Sequence, residues 1–190
     1  MKITADLIQR LAYPGMPAVL VQTWADKLSA ACEKAGIDTP QRLAHFLAQL
    51  THESGGFRWM QELWGPTPAQ VRYEGRLDLG NTQPGDGRRY MGRGPLQLTG
   101  RANYRATGKR IGYPLEDQPD LASQIGVGSL VACDYWTTRN LNGWADRGGL
   151  TSVRPITRVV NGGLNGLQDR ERRYSLAAHA ISLTVPANAP

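Results

Sequence analysis

Residues 40–57 constrain the fold more than any other part of the chain, because a clear amphipathic pattern runs there into an abrupt glycine stop. Its apolar side chains recur at the three- and four-residue spacing of a helix with one buried face: Leu43, Phe46, Leu47 and Leu50. Thr39 and Pro40 are a suitable N-cap and first helical residue, and the glycines at 55 and 56 end the pattern. The sequence therefore predicts a helix over residues 40–53.

Glu53 lies on the apolar face of this predicted helix, three residues after Leu50 and seven after Phe46. Apolar surroundings and the negative end of the helix dipole both disfavour a charged carboxylate, which is the electrostatic setting of a general acid. A glutamate at a helix end that extends into water explains the same position. The helix alone leaves a catalytic acid and a surface carboxylate as alternatives.

Length and composition bound the class of protein. The 190 residues, of which 41% are hydrophobic and 20% charged, suffice for one hydrophobic core and are ordinary for a folded domain. No apolar run approaches the ~20 residues of a membrane span, and the N-terminus is too polar for a signal peptide. We therefore expect a single domain over residues 1–184, a frayed tail over residues 185–190, synthesis in the cytoplasm and no stable membrane insertion.

The net charge of +6 favours an anionic polymer or surface as the partner. Charge alone does not separate nucleic acid, peptidoglycan and a membrane surface. Cys32 and Cys133 are the two cysteines, and each lies in an apolar helical pattern. Buried reduced thiols are therefore expected rather than a disulfide framework.

Further helical patterns flank the opening stretch. They predict helices at residues 1–12, 17–35, 99–107, 119–138, 150–160 and 167–183. Residues 54–98 lose the periodicity and are rich in Gly, Pro, aromatic residues and Arg, and the turn formers of residues 81–87 predict a small hairpin. The fold class is thus mainly α, with at most a short β-hairpin and a long central loop that crosses a groove.

Three carboxylates follow one another near the end of the predicted helix: Glu53, Glu62 and Glu74. Glycoside hydrolysis needs two carboxylates in unlike environments, one to protonate the leaving oxygen and one to activate water or stabilise the cation. Glu53 fits the acid, while solvation in the polar middle region would keep Glu62 or Glu74 ionised as the base. Surface ion pairs with neighbouring arginines are the structural alternative for both.

A second group of polar side chains lies in the glycine-rich segment 90–104: Tyr90, Gln97, Thr99 and Asn103. The glycines permit close backbone approach, and the neutral amide, hydroxyl and aromatic groups suit a sugar better than a phosphate. The spacing of a P-loop is missing, and Gln97 stands where a dinucleotide fingerprint would need its third glycine. Thr99 is alternatively a simple N-cap of the following helix.

Residues 159–170 form a third glycine-rich segment. A structural turn between two helices explains this segment fully. Asn161 and Arg170 become ligands only if the turn faces the same cleft as Glu53.

Metal and nucleophilic sites find no support in the sequence. His52-Glu53 is similar to the start of a zinc-protease helix, but Gly56 stands in place of the second histidine. The chain has three histidines, no cysteine pair at ligand spacing and no nucleophile-elbow motif. We therefore expect no metal and no other cofactor, and we expect the histidines in the core or as hydrogen-bonding neighbours of site residues.

Three motifs occur in a fixed order: His52-Glu53-Ser54-Gly55-Gly56, the segment 90–104 with its core Gly-Arg-Gly-Pro-Leu-Gln-Leu-Thr, and Asn161-Gly162-Gly163. Together they resemble glycoside hydrolase family 19, the chitinase-like family, and within it most closely the bacteriophage or prophage endolysins. The resemblance covers residues 40–175 or so. It implies a lysozyme-like, mostly helical, two-lobed domain with a central cleft, and an inverting mechanism on β-1,4-linked N-acetylated sugars.

The functional residues of the family transfer position by position. The resemblance makes Glu53 the general acid, and it makes Thr99 the hydroxyl that helps to hold the nucleophilic water. It assigns substrate or cleft contacts to four further residues: Gln97, Asn103, Asn161 and Arg170.

Two residues, Glu62 and Glu74, are candidates for the second catalytic carboxylate. In plant chitinases of the family it stands further along the loop, which points to Glu74, whereas in the endolysin-like branch it lies closer to the acid, which points to Glu62. We place Glu62 ahead as the catalytic base and expect Glu74 to contact the substrate. The plant cysteine framework is missing, and Asn165 replaces a frequent carboxylate, so peptidoglycan is placed ahead of chitin.

The resemblance thus implies an enzyme that hydrolyses the glycan strand of peptidoglycan during host cell lysis. Such a protein reaches the wall after a separate protein permeabilises the membrane, and we expect a monomer with no nucleic-acid partner. A chitinase acting on chitin oligomers, a single-glutamate lytic transglycosylase and a non-catalytic wall-binding domain are the alternatives.

Overall fold

The computed structural model describes residues 1–184, and the expected frayed tail, residues 185–190, lies outside this part. The described chain forms the α-helices α1 (Ala5–Leu11), α2 (Ala18–Lys34), α3 (Pro40–Glu53), α4 (Pro68–Val71), α5 (Asp86–Arg89), α6 (Arg101–Ile111), α7 (Ile125–Thr138), α8 (Leu141–Ala145), α9 (Val153–Asn161) and α10 (Leu167–Thr184). Short 3-10 segments supplement them at Leu77–Leu79, Pro119–Ser123 and Leu150–Ser152. Within the described residues, none of these helices is long and apolar enough to cross a membrane.

Every helix predicted from periodicity is present, with ends that differ by a few residues. The patterns at 119–138 and 150–160 each begin as a 3-10 segment before α7 and α9 start. The helices α4, α5 and α8 were not predicted, because a helix of four or five residues is too short to show a 3.6-residue period.

The helix α3 has the predicted bounds and anchors the larger hydrophobic cluster. The hydroxyl oxygen of Thr39 accepts a hydrogen bond from the backbone N–H of Arg42 at 3.3 Å, which confirms the N-cap. The apolar stripe of α3 is fully buried, and α10 packs along it.

Two hydrophobic clusters divide the chain into two lobes. The larger cluster gathers side chains from α1, α2, α3, α8, α9 and α10, and the smaller one joins Tyr90 and Tyr104 to Leu115. The helix α7 belongs to both, because Val131 packs in the smaller cluster and Trp136 in the larger one. The predicted class, a mainly helical two-lobed domain, is confirmed.

The hairpin expected at residues 81–87 is wrong. Within residues 1–184, β-type pairing is limited to isolated bridges, Gln61 with Arg93 and Arg93 with Leu98. The segment instead turns into α5, whose buried Asp86 accepts the backbone N–H of Gln83 at 3.0 Å and pairs with Arg101 at 2.5 Å. A buried carboxylate therefore closes this turn, and no strand pairing is needed.

The first of the two histidines of α3, His45, lies in the core, as expected. His45 stacks on Tyr174 of α10 with ring centroids 4.2 Å apart, and neither ring nitrogen has a hydrogen-bond partner in the described chain. Burial lowers the pKa of His45 to about 4. The imidazole is therefore neutral near pH 7.

The two cysteines lie where α2 meets α7. Both thiols are buried, as predicted, and their sulfur atoms are 4.0 Å apart. Hydrogen bonding to Cys32 and burial raise the pKa of Cys133 well above its usual value. These thiols are core groups of the larger lobe.

Candidate active site

Glu53, the last residue of α3, forms an ion pair with Arg170 of α10. The Arg170 side chain is 1% exposed, and its other terminal nitrogen donates to Oε1 of Gln49 at 2.5 Å. The expected apolar surroundings of Glu53 are therefore wrong, because α10 brings a guanidinium group to the same face of α3. The Glu53 side chain remains 23% exposed, so one side of the carboxyl group is open to solvent.

A second ion-paired group supports the same helix end. Nδ1 of His52 and Oδ2 of Asp169 are 2.7 Å apart. Burial opposes ionisation of Asp169, but hydrogen bonds from Arg173, His52 and Arg172 outweigh it and lower the pKa of Asp169 well below its usual value. The Asp169 carboxylate therefore fixes His52 beside Glu53, which is the neighbouring role expected for a histidine.

Gly166 lies against the other face of this histidine. The backbone of Gly166 has φ +71°, and a Cβ atom there would overlap the His52 ring. The glycine-rich turn before α10 is therefore needed for close packing on α3.

Glu62 is held by neutral donors. Its Oε1 accepts hydrogen bonds from the amide of Gln70 at 3.0 Å and the hydroxyl of Tyr73 at 3.4 Å. Its Oε2 accepts the backbone N–H of Gly92 at 3.0 Å. Burial and the nearby Glu62 carboxylate raise the pKa of Tyr73, so this hydroxyl stays protonated as a donor.

Glu74 has a structural role, because its carboxylate holds a loop in place. Its two oxygens accept the backbone N–H groups of Gly85 at 2.6 Å and Gly87 at 2.8 Å. These donors belong to the first turn of α5, where a carboxylate is stabilising. Both oxygens of Glu74 are thus engaged in closing the loop, whereas Glu62 lies beside the residues of the cleft.

A cavity of about 540 Å³ is lined by Gln97, Thr99 and Asn103 among other residues. Thr99 does not cap α6, because Gly100 occupies the N-cap position and the Thr99 hydroxyl donates to the Gln97 carbonyl at 2.9 Å. The amide of Asn103 donates to the Thr99 carbonyl at 2.7 Å. Gln97 has φ +52°, a strained conformation for a residue other than glycine that is common at functional sites.

Two contacts relate this cavity to the two carboxylates. A Cβ atom on Gly92 would stand 3.2 Å from Oε2 of Glu62 and would overlap the Gln97 amide, so these side chains share one point of the cleft. Tyr135 is close enough to Glu53 to be affected by its charge. Burial raises the pKa of Tyr135, the positive charge of Arg139 lowers it, and the negative charge of Glu53 raises it. Tyr135 also lines the cavity. Neither carboxylate lines the cavity, but each lies near one of its lining residues, Glu62 near Gln97 and Glu53 near Tyr135.

Four predicted substrate contacts do not line the cavity. Arg170 is buried against Glu53 and Gln49, Glu74 is held by α5, and the other two are Tyr90 and Asn161. Tyr90 is 1% exposed and its hydroxyl donates to the Glu116 carbonyl at 3.0 Å, so it is a core residue of the smaller lobe. Its expected stacking on a sugar is wrong. Asn161 is exposed at the end of α9, where the carbonyls of Val159 and Val160 accept from the Tyr135 hydroxyl, so it borders the cavity wall without lining it.

Sequence reasoning missed three site residues. Gln49 lies one turn before Glu53 on the same face of α3, a spacing that could have pointed to it. Asp169 is followed by three arginines within four positions, which is a sign of an ion-pair network. Tyr135 lies within the predicted helical pattern of residues 119–138, and only the tertiary contacts place it at the cavity.

The described chain thus presents two helical lobes, a cavity lined by neutral amide and hydroxyl groups, and two carboxylates in unlike surroundings that lie near residues of this cavity. This is the layout of a lysozyme-like glycosidase. A sequence profile described as chitinase class I, that of glycoside hydrolase family 19, matches residues 23–147. The chain belongs to glycoside hydrolase family 19, and the predicted enzyme class is confirmed.

Sequence relatives come from bacteria and plants. A glycosyl hydrolase family 19 domain-containing protein of Haemophilus influenzae is 34% identical over 174 residues, covering 77% of this chain and 84% of that protein. The endochitinase At2g43610 of Arabidopsis thaliana is 33% identical over 159 residues, covering 80% of this chain and 53% of that protein. The chain spans about half the length of the Arabidopsis endochitinases it matches.

Solved chitinase structures share the fold. Chitinase C from Streptomyces griseus superposes with a TM-score of 0.69 over 95% of this chain and 76% of that chain, at 21% identity. A class IV chitinase from Zea mays superposes with a TM-score of 0.64 over 96% of this chain and 92% of that chain, at 20% identity. At these identities the likeness establishes the architecture and nothing finer.

Proposed function

We propose that this chain hydrolyses β-1,4 glycosidic bonds of bacterial peptidoglycan by an inverting acid/base mechanism, as an endolysin. Glu53 protonates the leaving oxygen, and Glu62 accepts a proton from the attacking water. The observation that carries the proposal is that two carboxylates with unlike partners each lie near a residue that lines one cavity. Glu53 pairs with a buried guanidinium group, and Glu62 with neutral donors.

The acid is positioned by α10. Arg170 donates to Oε1 of Glu53, while Oε2 has no donor among the described residues. The transferable proton is assigned to Oε2, because a protonated carboxyl group keeps its contact with Arg170 through the other oxygen. Gln49 fixes the opposite end of the guanidinium group, so the acid is held in place between two helices.

The base and the water are held by the smaller lobe. The Thr99 hydroxyl gives its hydrogen to the Gln97 carbonyl, which leaves its oxygen as an acceptor for a water hydrogen. Glu62 accepts hydrogen bonds from neutral groups only, so it stays available as a proton acceptor. A water between Thr99 and Glu62 then attacks the sugar on the face opposite Glu53.

The charge of the chain supports peptidoglycan over chitin as the substrate. The net charge of +6 assists approach to an anionic wall, an effect that salt weakens. We further propose that the protein acts as a monomer on the wall after another protein has permeabilised the membrane.

Chitin is the second candidate substrate. The specific observation in its favour is that the plant relatives carry the name endochitinase. A neutral chitin oligomer needs the same acid, base and water, so the catalytic residues are identical in both cases.

Analysis of the soluble products decides between these functions. Purified peptidoglycan and a chitin hexamer are each digested, and the products are identified by mass spectrometry, with the initial anomer followed by proton NMR. Muropeptides with reducing ends and an α-anomer released first are expected. Anhydro-muramyl ends would instead identify a lytic transglycosylase, and wall binding without soluble product a binding domain. Cleavage of the chitin hexamer alone would identify a chitinase.

A further inference from the structure

A separate cavity, of about 500 Å³, opens beside the turn that ends α3. Its walls are the end of α1, the segment 55–59 and the first half of α10. The lining includes neither Glu53 nor Glu62 and none of the residues of the catalytic cavity. We call it the arginine pocket, because four guanidinium groups line it: Arg10, Arg58, Arg172 and Arg173.

The arginine pocket has an excess of positive charge. Its arginines pair with Asp6 and Asp169, and neither carboxylate lines the pocket. Four guanidinium groups against two carboxylates leave an excess of two positive charges. Arg58 forms no ion pair within the described residues, and its guanidinium group lies 4.9 Å from the centre of the Tyr13 ring. This group is free to bind an anion.

An aromatic side chain gives the arginine pocket an apolar wall. Trp59 is 48% exposed, although its backbone N–H is fixed to the Ser54 carbonyl at 2.9 Å. Its indole lies over Gly55, where a Cβ atom would stand 2.9 Å from the ring. These contacts therefore hold the exposed indole ring in a defined position. A cationic pocket with an indole wall suits an anion that carries an apolar body, such as an amino-acid carboxylate.

We propose that the arginine pocket binds the carboxylates of the peptide attached to the muramic acid of the substrate. This inference rests on the proposed function. The pocket wall begins at Gly55, two residues beyond Glu53, so their Cα atoms are at most ~7.6 Å apart. A short peptide spans at most ~3.6 Å per residue and reaches the pocket from a sugar in the cleft. Chitin carries no peptide, so the pocket favours peptidoglycan.

The test compares two charge-removing variants at matched charge. The double variant Arg10→Gln/Arg58→Gln removes two pocket cations that lie outside the Asp169–His52 network, and Arg88→Gln/Lys109→Gln removes two exposed cations of the smaller lobe. Each is assayed on intact peptidoglycan, on glycan strands stripped of peptides by an amidase, and on chitin oligomers. A soluble disaccharide-tripeptide is also titrated into wild type and both variants, with amide NMR shifts of Arg58 and Trp59 as the readout.

The pocket variant is expected to raise KM for intact peptidoglycan about five- to tenfold with kcat unchanged, since each exposed charge contact contributes up to about 1 kcal/mol. Stripped strands and chitin oligomers should be cleaved as by wild type. Equal KM values for the two variants on intact wall would contradict peptide binding in the arginine pocket and would leave the proposed function in place. If wild type cleaves no peptidoglycan, the proposed function fails, and the titration alone decides: no shift at Arg58 and Trp59, or equal displacement by inorganic phosphate, overturns the pocket.

Discussion

Glu53 sits on a long capped helix and is held by a cation 117 positions away in sequence, whereas Glu62 sits on an irregular segment and is held by neutral groups, two of them within 11 positions. The first arrangement depends on two packed helices, α3 and α10. The second depends on local turns and one backbone N–H. A helical scaffold can thus carry a buried charge pair, while a loop positions its carboxylate with short-range hydrogen bonds.

The largest effect is expected from Glu53→Gln, which removes the acid but keeps the size of the side chain. We expect kcat to fall about 10³- to 10⁴-fold, the range of a general acid, with an unchanged circular dichroism spectrum. Steady-state release of reducing ends measures the loss. Substantial turnover by a correctly folded variant would contradict the assignment of Glu53.

The next experiment distinguishes the roles of the two loop carboxylates, Glu62 and Glu74. Glu62→Gln is expected to lower kcat about 10²- to 10³-fold, because the water loses its proton acceptor. Glu74→Gln should keep most activity and lose about 1 kcal/mol of stability, because charge-assisted bonds to two backbone N–H groups weaken. Urea denaturation and kcat are measured on both proteins. The opposite pattern would make Glu74 the base, as in the plant arrangement.

His45, the buried histidine of α3, makes the free energy of unfolding depend on pH. The pKa of His45 is about 4 in the folded chain and about 6.5 when unfolded. Its stabilising effect is therefore complete above pH 6.5 and is lost as the pH falls towards 4, by at most about 3 kcal/mol. His45→Phe should remove this slope in urea titrations between pH 4 and 7. His179→Gln, at an exposed position of α10, is the control and should retain it.

The smallest effects come from the turn that joins α9 to α10. Gly166→Ala combines a positive φ with an overlap on His52, whereas Gly162→Ala has the positive φ and no atom within 4 Å of the new Cβ. We expect about 1 kcal/mol of destabilisation at Gly162 and roughly 2 kcal/mol at Gly166, measured by thermal unfolding. Reduced kcat is expected for Gly166→Ala only, because it displaces the neighbour of Glu53. Equal kcat for both would show that His52 does not position the acid.

The sequence by itself determined the long helices of the molecule. The helix over residues 40–53, its Thr39 cap and the glycine stop follow from periodicity and capping, which depend on residues only a few positions apart. The family followed from motifs that keep their order along the chain. The roles of Glu53 and Thr99, taken from the same motifs, stay predictions. The predicted hairpin failed because a buried Asp86–Arg101 pair, which no local pattern shows, closes that turn instead.

Only the tertiary structure decided the partners of the site residues. Arg170 reaches Glu53 because α10 packs along α3, Tyr90 turns inward because Tyr104 and Leu115 offer it a core, and Glu74 is occupied by α5. Each outcome joins residues separated by ten or more positions, and the free energy of such contacts depends on which surfaces meet. Local propensity and spacing carry no information about that meeting, so the roles of these residues become visible only in the folded chain.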